Sequence, residues 1–137
     1  MTKLLKNAKG LTLVELLAVI VILGIVAAIA IPAISGTIEK SKKNADAASV
    51  KMIQEAAIRY AIDNDYTSVV KADGDIATKL VGGGYLSNLK YQLQSKSTVS
   101  FNYFTLSLSS GQYTVNVFTS GDKPITEDNI KNGTVGD

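Results

Sequence analysis

The chain has 137 residues and contains neither cysteine nor histidine. Without cysteine there is no disulfide, no thiolate nucleophile and no cysteine-based metal site. A small extracytoplasmic domain built this way must hold together by packing or by assembly. Without histidine the commonest general base and transition-metal ligand is missing. The sequence therefore reads as non-enzymatic and cofactor-free. No excess of one sign of charge is present either: 14 basic residues nearly balance 12 acidic ones, for a formal net charge of +2. No basic patch carries interleaved aromatics, so no specific nucleic-acid binding is expected. Gly82-Gly83-Gly84 is not followed by Gly-Lys-Ser/Thr and has no evident strand before it, so it reads as a turn rather than a phosphate loop.

What the chain does have is an apolar run. From Leu16 to Ile31 no side chain is polar. The full run, Leu11–Ile34, would span roughly 36 Å as a helix, and a bilayer core needs roughly 30 Å. One carboxylate, Glu15, stands near its start, in Lys9-Gly10-Leu11-Thr12-Leu13-Val14-Glu15. An acid in such a run is costly and points to a function. Gly24 and Pro32 weaken the run as a helix, one through backbone entropy and the other through its missing amide donor, yet both are tolerated in membrane helices. Charge is unevenly placed: residues 1–10 carry Lys3, Lys6 and Lys9 and no acid, leaving eleven basic against twelve acidic groups in the rest. Lys40, Lys42 and Lys43 follow the run, so the positive-inside rule is nearly tied and does not fix orientation.

Three uses of the run compete. It is a simple membrane anchor; or a secretory signal peptide cut after Ala28-Ile29-Ala30; or the mature amino terminus exposed when a leader is cut at Gly10-Leu11. The third is where a resemblance enters. Residues 9–32, Lys-Gly-Leu-Thr-Leu-Val-Glu-Leu-Leu-Ala-Val-Ile-Val-Ile-Leu-Gly-Ile-Val-Ala-Ala-Ile-Ala-Ile-Pro, closely resemble the amino-terminal signature of type IV pilins and type II secretion pseudopilins. The match covers about a fifth of the chain. It departs from the family in one place, with Leu11 where a phenylalanine is usual.

The resemblance implies that a prepilin peptidase cuts after Gly10 and methylates the new amine of Leu11. It implies that Glu15 pairs with that amine on a neighbouring subunit during assembly, and that Gly24 and Pro32 mark where the helix loses structure in a filament. It also implies a helical homopolymer, a cytoplasmic assembly ATPase and an inner-membrane platform protein as partners. The protein would be a single-pass subunit among the lipids of the bacterial cytoplasmic membrane before assembly, amino terminus inside, and an extracellular or cell-surface filament afterwards. On residues alone, two simpler roles also suit Glu15. It sits in the headgroup region near the helix start, where the dipole favours an anion, or it pairs with its own Leu11 amine one turn away.

Four regions result: a leader, 1–10; a hydrophobic assembly helix, 11–34; an amphipathic helix, 35–65; and a loop and β-sheet region, 66–137. In the second helix Ala45, Ala48, Met52, Ile53, Ala56, Ala57 and Tyr60 form one broad apolar face, with Lys42, Lys43, Asp46, Lys51 and Glu55 outside it. If continuous, the helix from Leu11 to Asp63 forms a rod of roughly 80 Å. The alternative is two helices divided at Pro32 through Gly36. Tyr66–Gly74 reads as a loop, and Asp75–Val81 as one or two helical turns capped by Asp73 or Asp75. Phe104, Leu106 and Leu108 alternate with polar residues, as do Tyr113, Val115 and Val117, around a Ser110-Gly111 hairpin signal. Phe101 and Tyr103 are out of phase, which predicts a bulge near Asn102. Tyr91 and Leu93 suggest a third strand. The segment after Gly121 reads as a loop or frayed tail.

The expected fold is α+β: a long amino-terminal helix packed on a small carboxy-terminal antiparallel sheet. Asp73-x-Asp75, and Asp122 with Glu127 and Asp128, are oxygen-rich groupings of the kind calcium uses. No complete ligand pattern is present, so no metal is assigned. Within the pilin-like class a type IV pilus, a secretion pseudopilus and a DNA-uptake pilus all fit. The missing cysteine pair is unlike many Gram-negative major pilins and favours another branch. The rival from a different class is a membrane-anchored extracytoplasmic binding domain that never polymerises.

Overall fold

A computed structural model describes residues 3–66, 70–87 and 92–136. Helix α1 runs Lys3–Asp63 without interruption, and the chain divides into two compact units, Met1–Glu39 and Lys40–Asp137.

The first unit is helix alone. Among the described residues this is the one helix long and apolar enough to cross a membrane. Its large apolar side chains are exposed all round; even the least exposed between Leu13 and Ile34, Val19, is 49% accessible. Pro32 lies inside the helix rather than ending it, so the break at Pro32 to Gly36 is not taken. The missing amide leaves the Ala28 carbonyl without its ordinary donor. Just beyond, Ser35 Oγ donates to the Ile31 carbonyl at 3.0 Å and Thr37 Oγ1 to the Ala33 carbonyl at 3.2 Å. Such back-bonding satisfies the hydroxyls and slightly weakens the helix.

In the second unit, residues 40–63 of α1 pack on an antiparallel sheet of order β1-β2-β3-β4. The strands are β1 (Val70–Asp75), β2 (Phe101–Ser109), β3 (Gln112–Thr119) and β4 (Pro124–Ile125), and a short helix α2 (Glu127–Asn132) follows. This is the expected α+β class. The β2–β3 hairpin turns at Ser110 and Gly111, both left-handed, with φ of 53° and 77°, the geometry that fits the strand twist. The register shifts between Phe101 and Tyr103, where the phase break predicts a bulge. The expected helical turn is present as Ala77–Val81, and Asp75 accepts a hydrogen bond from Thr78 at 3.1 Å.

Three expectations about the region after the helix are corrected. The span Tyr66–Gly74 is not simply a loop, because β1 forms there and pairs with β2, Val70 opposite Leu106 and Asp75 opposite Tyr103. In its sequence, Val-Lys-Ala-Asp-Gly-Asp, only Val70 favours a strand, and its pairing with the free edge of β2 supplies the strand. The expected third strand at Tyr91 and Leu93 is reduced to a single bridge between Gln92 and Ser100, with Leu93 buried; Tyr91 lies outside the described residues. The segment after Gly121 is no frayed tail. It carries β4 and α2 and sends Ile125, Ile130 and Val135 into the core, each no more than 2% exposed.

The core joins Val50, Ile53, Ala57 and Ala61 of α1 to Phe104, Leu106, Val115 and Val117 of the sheet. Of the expected helix face, Ile53, Ala56 and Ala57 are buried, whereas Met52 is 48% exposed and Ala48 is exposed too. The buried stripe is rotated toward Asp46, Val50 and Ala61. Asp46, expected outside the stripe, is 1% exposed. One of its carboxylate oxygens accepts from the Gln94 amide at 2.7 Å, and the other from the Ser95 amide at 2.8 Å and the Ser95 hydroxyl. A buried carboxylate needs such donors, and this one ties the loop at 94–95 to the helix. At the far end of α1, Tyr60 packs edge-on against Tyr85 and Phe104, and the Tyr113 hydroxyl donates to the Tyr66 carbonyl at 2.9 Å.

Candidate functional site

The residues singled out by the sequence fall into two groups. Gly10, Leu11, Glu15, Gly24 and Pro32 all lie on α1 within the first unit. The bond between Gly10 and Leu11 is in helical backbone. Glu15, one turn further on, is exposed, and no other described residue hydrogen-bonds or ion-pairs with it. It is the one acid between Leu11 and Ile34. Gly24 is helical, and a Cβ built on it meets nothing within 4 Å. The subunit itself therefore has no steric need for glycine there, although alanine would favour the helix by about 1 kcal/mol.

The second group is Asp122, Glu127 and Asp128. The structure does not bring them together, and among the described residues no three acidic, histidine or cysteine side chains cluster as a metal site would require. Asp122, with φ of 59°, accepts from the Tyr103 hydroxyl at 2.7 Å. That bond pushes the Tyr103 phenol above its ordinary value. Glu127 meets Lys51 at 2.8 Å and Lys131 at 3.6 Å. The hydrogen bond from Lys51, with its charge, holds Glu127 below the usual carboxylate value and raises Lys51 in return. Asp128 is exposed. Of the other pair, Asp75 is engaged by Thr78, and the side chain of Asp73 lies outside the described residues. Asp122 and Glu127 thus fasten the carboxy-terminal segment to β2 and α1.

Besides β1, two structural features escaped sequence reasoning. Asp46 gives no local signal, because a lone acid in an amphipathic helix ordinarily faces water. Helix α2 did have a signal. Thr126 accepts from the Asn129 amide as amino-terminal cap, Glu127 and Asp128 fill the first turn, Lys131 the last, and Gly133 closes the helix with φ of 75°. That is the usual order of start and stop residues.

With this geometry in place, the comparison with known families is decisive for the first unit. Residues 5–31 match the prokaryotic N-terminal methylation motif. The chain thus carries the prepilin-type signature of type IV pilins and pseudopilins. The matched stretch contains Gly10, Leu11, Glu15 and Gly24, and ends one residue before Pro32. No curated protein and no solved structure matches the chain. The signature points to a structural, pilin-like protein processed as a prepilin and fits membrane anchoring by the apolar helix.

Proposed function

We propose that this chain is a pilin-like subunit, stored in the cytoplasmic membrane and then built into a helical filament. The reading rests on one coincidence. The methylation motif at residues 5–31 coincides with a helix whose large apolar side chains have no partner within the subunit. Such a surface needs lipid or other copies of itself. Moving from lipid into a bundle of like helices preserves its burial while its neighbours change. Contacts of the head-to-tail kind that do not close generate a filament.

In this reading prepilin peptidase cuts after Gly10 and methylates the Leu11 amine. A carboxylate within hydrocarbon costs about 3 kcal/mol. The Glu15 carboxylate offsets that cost by accepting from the ammonium of Leu11 on an adjacent subunit. Gly24 and Pro32 weaken the helix, so that it unwinds locally when packed among copies. The chain has no nucleotide-binding motif, so an assembly ATPase and a membrane platform protein supply the work of extraction.

Intact mass of the mature protein tests the reading directly. Loss of residues 1–10 with gain of one methyl group is the expected result. Cleavage after Ala30, or no cleavage, would instead favour an ordinary secretory signal or a tethered domain that never polymerises.

A further inference from the structure

Beyond the apolar run the chain presents a second group of lysines that neither the processing nor the pairing chemistry uses. Lys40 and Lys42 are exposed, and among the described residues neither makes an ion pair. By helical geometry they stand about 200° apart round the axis. They therefore form a collar rather than one docking face, which would repeat every three or four residues. Tertiary structure adds to it. The Lys43 ammonium donates to the Lys131 carbonyl at 3.3 Å, which brings the last turn of α2 and its own lysine to this end of the unit. Of the nearby carboxylates, Glu39 precedes Lys40 directly and has a partner of its own, both oxygens of Asp46 accept from Gln94 and Ser95, and Glu127 is held most closely by Lys51 at 2.8 Å, with Lys131 farther off at 3.6 Å.

We infer that Lys40 and Lys42, backed by Lys43 and Lys131, form an ammonium collar for the anionic phosphate headgroups of the membrane that α1 spans. The inference rests on the membrane-storage reading and names the lipid class it requires. Lys40 lies six positions beyond Ile34, roughly 9 Å of helix. The headgroup layer on each side of a bilayer is about 5–7 Å thick. Helical side chains lean toward the amino terminus, so these lysines reach back toward the apolar run and snorkel to that layer. A collar suits a partner that surrounds the helix on all sides, as lipid does. Lysines on the outer side also work against the positive-inside bias, which calls for a separate reason for their presence. Each lysine near an anionic surface strengthens attachment about fivefold. The collar therefore sets the depth at which the subunit waits, and those contacts must break on extraction.

The test uses the full chain, whose lack of cysteine makes any introduced thiol unique. A nitroxide is placed at Ser41→Cys, and the protein is reconstituted in nanodiscs of phosphatidylcholine alone or mixed equally with phosphatidylglycerol. In the mixed discs the label should lose accessibility to a neutral, water-soluble relaxation agent severalfold. Added salt should restore that accessibility, and so should Lys40→Gln with Lys42→Gln, whereas Lys79→Gln should leave the shielding intact. Equal accessibility in both lipids, or shielding that survives the double substitution, overturns the collar. A second label at Ile22→Cys separates the two readings. If it is buried while Ser41 ignores lipid charge, storage stands and the collar falls. If it is open to water in every disc, the storage reading fails and the collar with it.

Discussion

Leu13 and Ile53 lie on the same helix and meet opposite fates: the first is 67% exposed and the second fully buried. Between Leu13 and Ile34 apolar residues cover every side of α1, and the subunit offers them nothing to pack on. Between Asp46 and Ala61 they occupy a single stripe, and the sheet covers it. The second unit buries an apolar stripe of its own, and the first leaves its large apolar side chains exposed. One chain thus carries both a packed core and an apolar segment that packs on nothing within its own unit.

Glu15→Ala should separate the two regions most sharply. It leaves the second unit folded and the protein in the membrane but abolishes most incorporation into filaments, as read by the filament-to-membrane ratio of tagged subunits. Normal incorporation beside wild type would remove the pairing mechanism. Asp46→Ala acts on the other region. Stranding the Gln94 and Ser95 donors should cost about 4 kcal/mol, seen as an earlier unfolding transition in tyrosine fluorescence of the full chain in detergent, with the helicity of the membrane segment retained. Ile130→Ala should cost about 3 kcal/mol in the same assay. A cost near zero would return the carboxy-terminal segment to the status of a tail.

The smallest effect is electrostatic. Glu127 titrates below its ordinary value of 4.5 because Lys51 pairs with it. The folded pair therefore adds stability above that value and loses it as the pH falls through the depressed one. Lys51 titrates above 10.5, so its share is present below that value and lost as the pH rises through the raised one. Both groups are substantially exposed, which keeps the effect slight and salt-sensitive. Glu127→Gln should flatten the acid limb of the unfolding midpoint while leaving the neutral midpoint almost unchanged.

The features legible in the sequence were local ones. The apolar run, the Gly10-Leu11 junction, the isolated Glu15, the Ser110-Gly111 hairpin and the phase break at Phe101 each depend on a few adjacent residues. Helix α2 was missed although Thr126 and Gly133 carry its start and stop signals, because six residues with one apolar side chain gave no apolar period to support them. Val70–Asp75 was not legible, because after Val70 its residues disfavour a strand until β2 stands beside them. Nor was the burial of Asp46, whose donors come from a loop 48 and 49 residues away.

By itself, then, the sequence determined which segment is long and apolar enough to cross a membrane and which acid stands alone within it, because composition along one helix suffices for those; the expected cut at Gly10-Leu11 came from the resemblance of residues 9–32 to the prepilin signature. Tertiary structure alone decided that the segment after Gly121 belongs to the core, that Asp46 is buried, and that Lys131 joins the lysines at the start of the second unit. Each of these arises from groups distant in sequence, and only the folded backbone sets which of them meet.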